Sequence, residues 1–308
     1  MPHSTHKIFI ATDSNSLYRD LFHASALPGL EETQLASEAN IILADPPRIA
    51  PHLHQFSALA WLQSTYAGVN ALLQPNARQD YLLTNVRDIF GPLIAEYVLG
   101  YAIAHYRHLP QYAEQQRRGA WLPMPYRSLQ GETLLILGTG NIAVQLAHVA
   151  NAFGLRVLGV NRTGAMAQPH PFAEVFSLSE LPQAIGQCQL LVNTLPSTPQ
   201  TQNVLNRETL KHAQNILLFN VGRGDALNDD DLLAAIAAHS VQHAYLDVFH
   251  YEPLETQHPF WSSPSVTLTP HIAAISSPEQ VWQQFCDNYQ RFCLGAPLKH
   301  LIDFARGY

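Results

Sequence analysis

A chain of 308 residues with 47% hydrophobic side chains is long enough to build two domains, each with a buried core. Charged residues make up only 13% and the formal net charge is −7, so there is no basic footprint for nucleic acid. No apolar run approaches a membrane span and the start carries no charged-then-apolar signal pattern, while Cys188, Cys286 and Cys293, without metal-type spacing, fit a reduced cytoplasmic setting.

In chain order, short apolar runs at Ile8–Ala11, Ile41–Ala44, Leu59–Gln63 and Tyr81–Leu83 predict strands, separated by helical segments. That alternation implies an α/β fold with a parallel sheet. A helical pattern follows from Leu93 to about Arg118, with Ile94, Tyr97, Val98, Tyr101, Ile103 and Ala104 on its apolar side. Tyr97, Tyr101 and Tyr106 on it read as core or subunit contacts. The Pro-rich stretch Trp121–Tyr126 breaks the order. Further strands are predicted at Leu134–Leu137, Arg156–Val160, Leu190–Thr194, Ile216–Asn220, Ala244–Val248 and Val266–Leu268. A last helix from about Pro278 to Leu294 carries Val281, Trp282, Phe285 and Tyr289. Asn228-Asp229-Asp230-Asp231 reads as a helix cap with acids in the first turn rather than a metal cluster, and no metal site is expected. The 16 histidines are scattered, as at His3, His52, His105, His170 and His239, and most are expected at the surface or in structural roles.

The turn after Leu134–Leu137 is the most specific signal. Gly138-Thr139-Gly140-Asn141-Ile142-Ala143 places a tight turn, a position open to a pyrophosphate and a helix start between two strands. This is the context that a dinucleotide fingerprint requires. About 20 residues further on, NAD enzymes carry an acid for the ribose hydroxyls. Here the strand ends in Asn161-Arg162-Thr163. Arg162 can pair with a 2′-phosphate and Thr163 can hydrogen-bond it, so NADP(H) is expected. A solvated Arg162 would leave NAD(H) possible.

In an open α/β sheet the ligand lies beyond the carboxyl ends of the strands, so chemistry is sought in the turns there. Three turns carry candidate groups. Arg223 stands between Gly222 and Gly224 after a buried strand, a fixed cation suited to a carboxylate or carbonyl oxygen. Asp247 is expected inside the apolar strand Ala244–Val248, with Glu252 shortly after it. His271 sits at a strand end in Thr269-Pro270-His271-Ile272-Ala273. Singly, each has a structural explanation. Together they supply what hydride transfer needs: a cation for an acid group, a proton donor, and a carboxylate to raise that donor's pKa.

With these motifs in this order, including Leu195-Pro196-Ser197-Thr198-Pro199-Gln200-Thr201 and Glu252-Pro253-Leu254, the chain resembles the D-isomer-specific 2-hydroxyacid dehydrogenases. It is most like their glyoxylate/hydroxypyruvate reductase A branch, whose terminus Ala305-Arg306-Gly307-Tyr308 matches. The resemblance implies a Rossmann-type doubly wound domain, 93–274, inserted into a smaller flavodoxin-like substrate domain, 1–92 and 275–308. It implies substrate orientation by Arg223, acid/base chemistry at His271 and Glu252 as its partner. Cofactor contacts are implied at Gly138, Thr139, Gly140, Asn141, Ile142, Asn161, Arg162 and Thr163. Others are implied at Leu195, Pro196, Thr201, Val221, Gly222, Arg223, Asp247, His271 and Ala273, with Asp247 near the nicotinamide.

Tyr66-Ala67-Gly68-Val69-Asn70 resembles the substrate loop, where the family usually has Gly-Ala-Gly-Val-Asp. Tyr66, Ala67, Gly68 and Val69, with Arg223 and His271, are the implied substrate contacts. An aromatic residue is expected where this chain has Ala44, and the loss of that ring would enlarge or loosen the pocket. The implied activity is NADPH-dependent reduction of a small 2-oxo acid to the D-2-hydroxy acid by a cytoplasmic homodimer, with no membrane or nucleic-acid partner. The alternative is an NADP(H)-sensing interaction protein with vestigial catalysis.

Overall fold

The computed structural model describes residues 5–305. His3 and the terminal motif residues 306–308 lie outside the described residues. The chain forms two compact units, one of residues up to Ile89 together with those from Ser276 on, the other Phe90–Ile275.

The first unit begins β1 (His6–Ala11), α1 (Asn15–Ser25), β2 (Leu30–Glu32), β3 (Ile41–Ala44), α2 (Pro46–Ile49), β4 (Trp61–Ser64) and β5 (Leu82–Thr84). The second unit follows with α3 (Gly91–Tyr106), α4 (Leu109–Arg117), β6 (Thr133–Leu137), α5 (Asn141–Ala152), β7 (Arg156–Asn161), β8 (Glu174–Ser177) and α6 (Leu181–Ile185). It continues with β9 (Leu190–Asn193), α7 (Arg207–Leu210), β10 (Ile216–Asn220), α8 (Asp229–Ala237), β11 (Val241–Leu246) and β12 (Val266–Leu268). The chain then returns to the first unit with α9 (Pro278–Cys293).

Among the described residues the first unit holds a five-stranded parallel sheet, order β2-β1-β3-β4-β5. This is the flavodoxin-like order, which reverses direction between β1 and β3. Ser277 caps α9 through its hydroxyl, and Val281, Trp282, Phe285 and Tyr289 are buried at helical spacing. Phe285 stacks between Trp61 and Trp282, with ring centroids 5.0 and 4.8 Å away.

The second unit holds a seven-stranded parallel sheet among the described residues, order β12-β11-β10-β9-β6-β7-β8. The expected doubly wound α/β fold is therefore present. Strand order reverses between β6 and β9, where such sheets open their ligand crevice. The register puts Leu137 opposite Asn193, Asn193 opposite Asn220, Asn220 opposite Leu246, and Leu246 opposite Leu268. Five strand ends are thus level, and the turns after β6, β9, β10, β11 and β12 leave from the same carboxyl end of the sheet. Ala143 is fully buried where α5 packs on the sheet. α3 and α5 approach so closely that a Cβ on Gly91 would lie 2.6 Å from the Gln145 side chain.

Several elements differ from expectation. The edge strands β2 and β8, sequences LEE and EVFS, carry no apolar run and so give no sequence signal. The helix expected from 93 to 118 is two helices: His108 adopts a left-handed φ of 56° between α3 and α4, and Pro110 lies in the first turn of α4. β11 ends at Leu246, so Asp247 stands just beyond the strand rather than inside it. Its N–H still donates to Asn220, but its carbonyl accepts from His271 instead of continuing the ladder.

Candidate active site

Gly138 has φ +100°, and a Cβ there would lie 2.7 Å from the Thr194 hydroxyl, so only glycine fits this turn without strain. A Cβ on Gly140 would meet nothing within 4 Å, which leaves open space on that side of the backbone. Gly140 is the N-cap of α5 and no side chain caps the helix. The N–H groups of Asn141, Ile142 and Ala143 therefore lack intrahelical partners, and the positive end of the helix dipole is free for an anion.

At the end of β7 the Asn161 side chain organises the loop. Its oxygen accepts from Thr163 N at 3.0 Å and Gly164 N at 2.8 Å, and its amide donates to Thr139 Oγ1 at 3.1 Å. Thus Asn161 links the glycine turn to the loop after β7. Arg162 is exposed, and its guanidinium makes no hydrogen bond or ion pair among the described residues. An open glycine turn, an uncapped helix and an unpaired cation at this loop fit a phosphorylated dinucleotide.

Two buried asparagines couple the next turns. Asn193 Nδ2 donates to Asn220 Oδ1 at 2.8 Å, and Asn220 Nδ2 donates to the carbonyl of Arg223 at 3.2 Å. Asn193 Oδ1 also accepts from Leu195 N at 3.1 Å. Val221 N donates to the Asn193 carbonyl. Beyond Leu195 the Thr201 hydroxyl donates to the Pro196 carbonyl at 2.6 Å and so closes the 196–201 loop. A Cβ on Gly222 would lie 2.9 Å from the Leu195 backbone, and one on Gly224 only 1.9 Å from the Phe249 carbonyl carbon. Both glycines flanking Arg223 are fixed by close backbone approach. Arg223 Nη1 donates to the Gly222 carbonyl at 2.6 Å. Burial draws the guanidinium pKa down, while the charges of Asp225 and Glu252 oppose the shift. An arginine still stays charged.

His271 is held in an unusual backbone state, φ +55°. Such left-handed non-glycine residues cost about 1–3 kcal/mol and persist only when neighbours over-determine them. Asp247, 2% exposed, does much of this. Its Oδ1 accepts from Thr269 Oγ1 at 2.6 Å and Ile272 N at 2.8 Å, and its Oδ2 accepts from Ala273 N at 2.9 Å. His271 N donates to the carbonyls of Asp247 and Thr269. The His271 side chain meets Glu252: Nδ1 lies 2.8 Å from Oε2. The other carboxylate oxygen, Oε1, accepts from Phe249 N at 2.9 Å. Nδ1–H is therefore the donor to Glu252, and Nε2 is left to face a ligand. The Glu252 hydrogen bond and charge hold the His271 pKa above its ordinary value, against burial and Arg223. For Glu252, burial would raise the pKa. The His271 hydrogen bond, the Phe249 N–H and the charges of His271 and Arg223 outweigh it and hold the carboxyl low. Both shifts favour an imidazolium–carboxylate pair.

In the first unit, the Tyr66–Val69 loop has its carbonyls turned inward. Tyr66 O accepts from Ser64 Oγ and Val86 N, and Ala67 O accepts from Asn85 Nδ2. The N–H groups of Ala67, Gly68 and Val69 have no acceptor among the described residues. A shallow cavity beside this loop is lined by Asp13, Asp45, Arg48, His52 and Tyr66. Ala44 is fully buried in the apolar core, so the missing aromatic at 44 does not open that cavity. The sequence signalled neither Arg48 nor the two asparagines. A lone polar residue ending each of two apolar strands was the available clue to the latter pair.

A doubly wound sheet with an anion-ready glycine turn at its reversal, and an imidazolium–carboxylate pair on the same edge, defines a dinucleotide-dependent oxidoreductase. Comparison with known proteins gives the family. Residues 99–273 match the model of the D-isomer specific 2-hydroxyacid dehydrogenase, NAD binding domain. The chain is 37% identical over 253 residues to a glyoxylate/hydroxypyruvate reductase A of Yersinia enterocolitica, covering 79% of each chain. A D-isomer specific 2-hydroxyacid dehydrogenase family protein from Aeromonas salmonicida, of known structure, is 42% identical, with TM-score 0.93 over 98% of this chain and all of that one. A D-isomer specific 2-hydroxyacid dehydrogenase from Xanthobacter autotrophicus, solved with NADPH and MES, is 27% identical, with TM-score 0.87 over 99% of this chain and all of that one. The chain belongs to the D-isomer specific 2-hydroxyacid dehydrogenase family and is a 2-hydroxyacid dehydrogenase oxidoreductase.

Proposed function

We propose that this chain reduces a small 2-oxo acid of the glyoxylate or hydroxypyruvate kind to its D-2-hydroxy acid, with NADPH preferred over NADH. The observation that carries this reading is the His271–Glu252 pair beside Arg223, on the level edge where the dinucleotide turn also lies. In this assignment the second unit, Phe90–Ile275, is the cofactor domain and the first unit is the substrate domain. Gly138, Thr139, Gly140, Asn141 and Ile142 would hold the pyrophosphate, while Arg162 and Thr163, placed by Asn161, would hold the 2′-phosphate. Leu195, Pro196, Thr201, Val221, Gly222, Asp247 and Ala273 would complete the cofactor site, with Asp247 toward its nicotinamide end.

When bound, NADPH supplies the hydride that reduces the carbonyl carbon. His271 donates a hydrogen bond from Nε2 to the carbonyl oxygen and gives up that proton as negative charge develops there. Glu252 fixes the tautomer and keeps the imidazole protonated until that moment. Arg223 presents its fork to the substrate carboxylate and carbonyl oxygen. The unpaired N–H groups of Ala67, Gly68 and Val69 offer further carboxylate donors.

Leu109, Trp121, Leu122 and Tyr126 are exposed apolar side chains on the second unit, which supports a homodimer. The free thiols at Cys188, Cys286 and Cys293 fit a reduced cytoplasmic compartment. Among the described residues, no helix is long and apolar enough to cross a membrane. The test is oxidation of NADPH, with NADH in parallel, against glyoxylate, hydroxypyruvate, pyruvate and bulkier 2-oxo acids. Turnover favouring NADPH and the smallest acids is expected. NADPH binding without turnover of any of them would overturn the proposal.

A further inference from the structure

We infer that Tyr97 and Thr269 are positioning residues for His271, acting through Asp247; the inference rests on the assignment of His271 as acid/base. The hydrogen-bond directions follow from the donors available. Asp247 is a buried carboxylate that accepts from two backbone amides, so it also accepts from the Thr269 hydroxyl at 2.6 Å. That bond uses the only proton on Thr269 Oγ1. Tyr97 OH, 2.7 Å from the same oxygen, must therefore be the donor in that contact. Burial pushes the Tyr97 pKa up, so the phenol keeps its proton. The chain is ordered: Tyr97 O–H to Thr269, Thr269 O–H to Asp247.

This chain ties a helix to the catalytic turn. Tyr97 lies on α3, which packs against α5, and its ring meets Tyr101 edge-on with centroids 4.9 Å apart. Tyr101 in turn lies against Tyr245 of β11, two residues before Asp247. Asp247 then grips the backbone after His271, at Ile272 and Ala273, and the side chain before it, at Thr269. Without the Thr269 hydroxyl, the left-handed φ of His271 loses a constraint on its N-terminal side. Imidazole position is the quantity on which proton transfer depends, and a 1 Å misplacement costs about 10²-fold.

The experiment compares T269V, T269S and Y97F in the full-length chain, with NADPH and glyoxylate. The expected kcat falls about 10- to 100-fold in T269V. T269S restores most of that loss. Y97F, which keeps the ring and removes one hydrogen bond, lowers kcat by about two- to tenfold. KM and Kd for NADPH stay at native values in all three. Amide hydrogen exchange at Ile272 and Ala273, expected to accelerate in T269V and Y97F, reports on the turn whether or not any 2-oxo acid is reduced. Native exchange in both variants overturns the inference, as does a T269S as impaired as T269V, or a loss of activity traced to weaker NADPH binding. If T269V does not fold, Y97F decides by the same criteria. Absence of turnover by the native chain would instead refute the proposed reaction, and the exchange rates would still decide this inference.

Discussion

Substituting His271 by glutamine removes the proposed proton donor and leaves the rest of the site in place. Nδ1 of His271 is committed to Glu252 at 2.8 Å, so proton transfer falls to Nε2. The glutamine amide can keep a hydrogen bond to Glu252, but it has no proton to give at neutral pH. Positioned general acids contribute about 10²–10⁴-fold. At about 1.36 kcal/mol per decade, the barrier rises by about 2.7–5.4 kcal/mol. The turn itself survives, because its hydrogen bonds to Asp247 come from Thr269, Ile272 and Ala273 and from the backbone N–H of residue 271. Arg223, the proposed substrate cation, remains, so a residual rate above water is expected. The assay is kcat for NADPH oxidation with glyoxylate, beside the Kd for NADPH from quenching of protein fluorescence. The prediction is a near-total loss of kcat with native NADPH affinity. A near-native kcat in H271Q would refute the acid/base assignment. Loss of both kcat and affinity would show that the imidazole serves mainly to hold the cofactor.

Other substitutions separate the remaining roles. R162D replaces the cation in the loop after β7 by an acid that would repel a 2′-phosphate; NADPH affinity should fall at least about 10- to 100-fold, as for loss of a charge-assisted hydrogen bond, with NADH little changed. Unchanged NADPH preference would show that Arg162 is not the phosphate contact. G140A places its methyl in open space, so the folded protein should melt close to native while NADPH binding weakens. G138A, with φ +100° and the Thr194 hydroxyl 2.7 Å from the new carbon, should destabilise the fold by about 1–3 kcal/mol. Equal melting temperatures for the two variants would contradict this contrast. His243 is held down to about 4 from 6.5 by burial, with His105 adding repulsion. Between those values the unfolded chain takes up a proton that the folded chain refuses, so stability should decline as pH falls from 6.5 toward 4. H243Q should flatten that part of the profile, and melts showing identical pH dependence for H243Q and the native chain would rule out His243 as the cause.

What could be read from the sequence follows burial. β6, β9 and β10 are buried along their whole length, and their unbroken apolar runs give them away. β2 and β8 pair on one side only and keep polar residues, so they look like loops. The break at His108 had a signal in Pro110, which lies in the first turn of α4, but nothing in the sequence marks the single left-handed residue that redirects the chain. Arg223, Glu252 and His271 stood out because each is a charged or titratable group at the end of an apolar run. The supports beneath them did not. Asn193 and Asn220 act through one buried amide pair that only the β9–β10 register brings together. Tyr97 lies 172 residues from Thr269 and looked like core. The grip of Asp247 on the His271 turn, which depends on where β11 ends, was equally invisible.

The most direct test of the acid–base pair is the pH dependence of kcat/KM for NADPH-dependent glyoxylate reduction, in the native chain and in E252Q. The proposed reduction needs His271 protonated, and Glu252 holds its pKa above the ordinary histidine value. The rate should stay level at lower pH and fall as pH rises through that raised pKa. In E252Q the fall should begin at lower pH, with the two profiles converging where His271 is protonated in both. A native profile with no alkaline fall, or a fall that E252Q leaves unmoved, would contradict the account.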